Sequence, residues 1–283
     1  MNSFILRHEA LIRLFFFISI FAVVAFYETR VPRRQLSSPK RGRWIINLGI
    51  VCINSIALRL FFSAGAVGIA YWVNQHGWGI LNFIAIPYFS SVLIGVLTLD
   101  FTIYLQHVMF HAVTNLWRLH MVHHADLDFD LTTGTRFHPI EILFSMIVKA
   151  AAIMALGPPI ASVLLFEILL NGTAMFNHSN IKLPESLDRF LRLIIVTPDM
   201  HRVHHSVFPN ETNSNFGFNS PWWDRLLGTY RAQPRLGHEN MIIGLNQFRD
   251  SKFLTLPRIL ALPFIGSTGS YPINQRGKVS IKS

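Results

Sequence analysis

Long apolar runs separated by short polar breaks set the organisation of this chain. Leu11–Tyr27 is apolar apart from Arg13 near its start, and Trp44–Ser63 is a second run with Arg59 near its end. Ile80–Gln106 is a third, and Ile140–Leu156 and Ile160–Phe176 flank the breaker Gly157-Pro158-Pro159. A helix needs about 20 apolar residues, and at least about 17, to cross a hydrocarbon core about 30 Å thick. The last two runs, with 17 residues each, sit at that limit and predict a short helical hairpin, either spanning or re-entrant. Lys149, inside its first half, has no place in the pattern. Leu11–Tyr27 reads as a retained span, because Phe26, Tyr27 and then basic residues follow it where a signal peptide would have a small-residue cleavage site. The glycine-containing stretch Ala64–Trp78 predicts a bend and a short external connection.

Histidines change the picture. His107 and His111 are spaced H-x-x-x-H, His120, His123 and His124 form H-x-x-H-H, His178 stands alone, and His201, His204 and His205 repeat H-x-x-H-H. At 3.6 residues per turn, positions i, i+3 and i+4 share a helix face, so each cluster is expected to aim its rings one way. Nine imidazoles exceed what one metal can use, and the repeated spacing points to a polynuclear site. The absence of H-E-x-x-H argues against a zinc protease, and no cysteine accompanies the clusters to make a zinc finger or an iron–sulfur site. Thr197-Pro198-Asp199 reads as a helix start, with threonine as cap, proline at the first position and aspartate at the positive end of the dipole. Thr114 or Asn115 is the corresponding candidate cap ahead of the middle cluster. Asp100 and Tyr104 lie on the helix face of His107 and are candidates to hold an imidazole in place.

Composition agrees with a membrane protein: 51% of residues are hydrophobic and 14% charged, too apolar for an ordinary soluble domain. The single cysteine, Cys52, cannot form an intramolecular disulfide. A formal charge of +10 raises nucleic acid as a partner, but its placement excludes it. Arg30, Arg33, Arg34, Lys40, Arg41 and Arg43 crowd one loop and thirteen further basic residues follow His178. Both stretches flank apolar runs, as on the cytoplasmic face of a membrane protein. With Glu28–Arg43 cytoplasmic, the spans run inward, outward and inward, the hairpin leaves and returns, and all nine clustered histidines fall on the cytoplasmic side. No terminal retrieval motif is visible, which favours a bacterial inner membrane over an endoplasmic reticulum.

The residues around the histidines carry a resemblance. D-F-T-I-Y-L-Q-H-V-M-F-H ends at His111, L-W-R-L-H-M-V-H-H at His124, and R-F-H-P covers Arg136–Pro139. F-N-H-S-N covers Phe176–Asn180, T-P-D-M-H-R-V-H-H ends at His205, N-F-G covers Asn215–Gly217, and W-D-R-L-L-G-T-Y ends at Tyr230. In this order and spacing, over about Ile80 to Tyr230, the chain resembles the fatty acid hydroxylase superfamily, also called the sterol desaturase family. Its members are integral membrane di-iron enzymes that use O2 to hydroxylate or desaturate lipids. The resemblance implies that His107, His111, His120, His123, His124, His201, His204 and His205 bind metal, with His178 completing the set. It gives His138, Asn180 and Asp224 supporting or structural roles. Some relatives have a second histidine near position 178, which is missing here.

The resulting expectation is an all-α integral membrane bundle of four to five spanning or re-entrant segments. A cytoplasmic helical cap would hold a His-rich dimetal site. Residues 1–79 would form N-terminal spans, 80–230 the catalytic part and 231–283 a cytoplasmic tail. The implied cofactor is two non-haem iron ions. Zinc can take their place on purification, since a His-rich site does not favour Fe(II) by affinity alone. Partners would be a lipid substrate (sterol, fatty acyl, alkylglycerol or carotenoid), O2 and a separate electron donor, a ferredoxin or a b-type cytochrome with its reductase. Hydroxylation is the expected reaction. Desaturation on the same centre is the alternative, and a non-redox metal-binding or transport protein a more distant one.

Overall fold

The computed structural model describes residues 2–250, 253 and 255–275. Every regular element of more than a single bridge among them is helical. The apolar runs become α1 (Asn2–Arg30), α2 (Lys40–Phe61), α4 (Tyr88–Ala112), α6 (Pro139–Leu156) and α7 (Ile160–Asn177). Between α2 and α4 lies α3 (Gly65–Gln75), where the glycines had suggested a bend. The helix forms because Ala66, Val67, Ala70 and Val73 recur at helical spacing and are buried against α6 and α7. Among the described residues, five helical stretches, with α2 and α3 taken as one, are long and apolar enough to cross a membrane.

Helix boundaries follow local chemistry. His138 accepts a hydrogen bond from the Ile140 amide ahead of Pro139 at the start of α6, and Gly157 ends it at φ +68°. That turn packs backbone to backbone on Gly79, where a Cβ would lie 2.2 Å from the Gly157 nitrogen. The hairpin is therefore pinned to the α3–α4 connection, and Asn74 Nδ2 donates to the Pro158 carbonyl at 2.9 Å. Lys149 pairs with Glu167 at 2.6 Å, and Arg13 reaches the same carboxylate at 3.0 Å.

At the opposite end of the bundle, α5 (Thr114–His124), α8 (Glu185–Leu191), α9 (Pro198–His204) and the loops between them form a cap. Thr197 caps α9 through the Met200 amide, as its sequence predicts. Neither Thr114 nor Asn115 caps α5; Val113 holds that position without a side-chain bond. The cap is fastened to the first spans by buried charge. Arg43 donates to Asp126 at 2.8 Å and Asp130 at 2.6 Å, and Glu28 accepts from the Leu131 and Asn180 amides at 2.8 and 2.9 Å. The segment expected to be a tail folds back: Leu245, Phe248, Ile259, Leu262 and Tyr271 share a core with Ile50, Trp117 and Met121.

Candidate metal centre

Three helix ends and one helix cap deliver nine imidazoles to the bundle–cap boundary, and none is more than 2% exposed. They fall into two groups whose nitrogens lie within 4.8 Å of one another: His107, His111, His120, His124 and His204 in one, and His123, His178, His201 and His205 in the other. This corrects the expectation that each H-x-x-H-H cluster aims one way. Successive residues turn by about 100° on a helix, so only the i, i+4 pair stays aligned. His120 and His124 enter the five-ring group and His123 leaves for the other. His201 and His205 enter the four-ring group and His204 leaves. Each cluster thus contributes to both groups.

Hydrogen bonding fixes which ring nitrogens face inward. The Nδ1 of His107 donates to the Phe216 carbonyl and that of His204 to the Ser214 carbonyl, each at 2.7 Å. A carbonyl only accepts, so the proton sits on Nδ1 and each Nε2 presents a bare lone pair. The Nδ1 of His111 lies 3.0 Å from Asn213 Oδ1, and that of His120 lies 2.6 Å from Glu141 Oε1. In the four-ring group His178 Nδ1 donates to the Ala174 carbonyl at 2.7 Å. Its bare Nε2 nevertheless lies 3.1–3.2 Å from the Nε2 atoms of His123, His201 and His205.

Lone pairs gathered this closely repel unless a cation lies among them. The Nε2 atoms of His111, His124 and His204 are buried with no hydrogen-bond partner among the described residues. Nitrogens bound about 2.0–2.1 Å from one metal sit roughly 3 Å apart, which is the spacing seen here. Burial keeps the rings of the cap neutral, the ligating form. It pushes His120 and His178 down to about 3 and His123, His124, His201, His204 and His205 well below the ordinary histidine range. The donor set therefore fits metal in both groups.

The remaining expected site residues are distributed differently. Asp100 accepts from Trp223 Nε1 at 2.8 Å, and among the described residues no hydrogen bond joins it to an imidazole, so the structure lends its expected role at the first cluster no support. The Tyr104 hydroxyl lies 2.8 Å from Thr229 Oγ1. Asp224 accepts from the Phe216 and Gly217 amides at 2.8 Å, and so shapes the turn whose carbonyl holds His107. Asn180 bonds the Arg34 backbone. His138 caps α6 and reaches the Leu260 carbonyl at 3.1 Å.

Sequence reasoning passed over Glu141, although a carboxylate in an apolar helix is a functional signal in itself. It also passed over Asn213, the partner of His111. Glu141 opens onto a cavity of about 240 Å³ that ends on His107 and His120, with Phe110, Phe137 and Phe218 in its walls. No ring of the four-membered group lines it.

Comparison with known proteins bears on this geometry. The fatty acid hydroxylase family profile matches residues 92–229. Over 231 residues the chain is 26% identical to the ornithine lipid hydroxylase of Rhizobium tropici, covering 77% of this chain and 67% of that one. It is 30% identical over 160 residues to the alkylglycerol monooxygenase of Homo sapiens, covering 55% and 32%. With the cholesterol 25-hydroxylase of Rattus norvegicus it shares 29% over 150 residues, covering 51% and 48%. The chain thus spans a third to two thirds of these relatives. No solved structure matches it.

Proposed function

We propose, on the match of the fatty acid hydroxylase family profile to residues 92–229, that this integral membrane protein is an O2-dependent lipid hydroxylase of that family with two iron ions. His107, His111, His120, His124 and His204 would hold one iron, and His123, His178, His201 and His205 the other. The observation that carries the reading is the apolar-walled cavity ending on His107 and His120. It gives an alkyl chain a way to the imidazole cluster and puts the five-ring group at its end.

Bound iron supplies the O2 activation needed to attack an unactivated C–H bond. In the balanced reaction one oxygen atom enters the C–H bond as a hydroxyl and the other leaves as water, with two electrons and two protons taken up. The chain's own residues orient and exclude. Phe110, Phe137 and Phe218 enclose the chain to be oxidised, and the tie from Glu141 holds the His120 ring. Electrons come from a ferredoxin or a b-type cytochrome docked on the basic cap, whose charge suits an acidic donor. We place that cap in the cytoplasm on the positive-inside rule. Substrate class is supported by the relatives, whose names cover ornithine lipid, alkylglycerol and cholesterol.

Anaerobic reconstitution with Fe(II) followed by metal analysis, together with lipid mass spectrometry of cells with and without the gene, tests this. About two irons per chain and a lipid gaining one oxygen are expected. One iron in fully active protein overturns the dinuclear reading, and a product that has only lost two hydrogens overturns hydroxylation in favour of desaturation.

A further inference from the structure

Away from the imidazoles, the bundle contains a charged cluster that the chemistry above does not use. Arg13, Arg59, Lys149, Glu9 and Glu167 all line a second cavity, of about 420 Å³. It adjoins the first, and Arg13, Leu58, Ser145 and Leu170 border both. One cavity system therefore runs from the imidazole end to a set of charges inside the bundle. Ionisable residues within spans are costly and seldom present without a function.

The cluster has unspent donor capacity. Glu167 is buried and takes both Lys149, at 2.6 Å, and Arg13, at 3.0 Å. One carboxylate cannot saturate a guanidinium with five N–H donors and an ammonium with three. Arg13 remains 38% exposed and borders three adjoining cavities. Three cations face two carboxylates, so the lining carries one positive charge in excess. An excess charge in low-dielectric surroundings is stabilised by an anion that it can hydrogen-bond, and guanidinium suits carboxylate and phosphate.

We propose that this cluster binds the anionic head, a carboxylate or phosphate, of the lipid whose chain lies in the first cavity. The proposal rests on the lipid hydroxylase reading and names the substrate class for it: an amphiphile with an oxyanion at one end. It also sets a ruler. Lys149 lies eight residues beyond Glu141 on α6, which is about 12 Å along the helix. A chain of single bonds advances roughly 1.2 Å per bond when extended, so the carbon attacked lies roughly ten bonds from the head.

The test is binding to the full chain in an uncharged maltoside detergent, without O2 or electron donor. A fluorescent polyene fatty acid is displaced by hexadecanoate or by its methyl ester. Charge-assisted hydrogen bonds contribute about 1.5–3 kcal/mol, so hexadecanoate should displace the probe at a concentration tenfold lower or more. Arg13→Gln and Lys149→Gln should each reduce that preference to less than about threefold, and Lys149→Arg should retain it. Equal affinity for acid and ester in the unaltered protein overturns the proposal even if a variant fails to fold. So does a preference that survives both Gln substitutions. If inorganic phosphate abolishes the preference while the ester still displaces the probe, the site holds a free anion and not a lipid head. In the product, a hydroxyl beside the head also overturns the ruler. Because binding is read without turnover, an inactive protein that keeps the preference counts against the hydroxylase reading alone. An active protein without the preference counts against the head site alone.

Discussion

The two imidazole groups are built from the same residue type, yet they are held differently. In the five-ring group the outer nitrogens of His107, His111, His120 and His204 each have a partner: two backbone carbonyls, an amide and a carboxylate. In the four-ring group only His178 is tied this way, to Ala174. The Nδ1 atoms of His123, His201 and His205 are buried with no partner among the described residues. An outer-nitrogen partner fixes tautomer and ring orientation, raises ligand basicity, and is worth about 10–100-fold in affinity or activity. The cavity opens on the tied group and not on the loose one. On the proposed reading, rigidity lies where the lipid is positioned, and the other group is left with freedom to adjust.

That contrast can be broken at several points. The largest effect is expected from losing a ring. His120→Ala and His178→Ala should each bring turnover below detection and lower bound iron by about one per chain. In an anaerobic Fe(II) titration of metal-free protein, His120→Ala should remove the tight step and His178→Ala the weak one. The gap between steps should be about tenfold or more, and two equal steps in the unaltered protein would show that the ties do not matter. Next comes Glu141→Gln, which keeps size and an acceptor while removing the charge. It should cost about 10–100-fold in turnover or iron retention, and wild-type kinetics would reduce Glu141 to a packing residue.

Gly134→Ala probes the one tie of the loose group. A Cβ there would lie 2.4 Å from the Ala174 carbonyl oxygen and 3.0 Å from His178 Nδ1. Overpacking of about 1–3 kcal/mol should lower thermal stability and weaken the second iron selectively. Equal loss of both irons would mean that the groups are not mechanically distinct. The smallest effect is expected at Asp100→Asn. The amide oxygen still accepts from Trp223, so the cost should be about 1 kcal/mol of stability or less, with iron content unchanged. Loss of iron in this variant would return Asp100 to the service of an imidazole.

The spans and the histidine clusters were legible because both are periodic: apolar length shows in the sequence, and so does H-x-x-H-H. Further use of the same periodicity yields the split as well, since the i, i+4 members stay together and the middle histidine turns away. What the sequence did not reveal were partners brought together by tertiary packing. Phe216 and Ser214 contribute carbonyls, which no side-chain motif encodes. Glu141 comes to His120 from another helix. Lys149 had no visible role until α6 and α7 set it beside Glu167 and Arg13 brought a second cation there from α1. The α3 segment was misread because its glycines outweighed a buried alanine–valine stripe.

Because His204 serves one group while His201 and His205 serve the other, α9 is needed to close both. A ribosome makes His107–His124 first and reaches His201 some 77 residues later, a delay of roughly 4–15 s at ordinary elongation rates. Throughout that interval four of the five rings of the tied group already exist without their last member, open to whichever divalent ion is most abundant. On the two-metal reading, fidelity of loading is thus a matter of timing as well as of ligand chemistry, and α9, the last element to bring in a ring of either group, sets the clock.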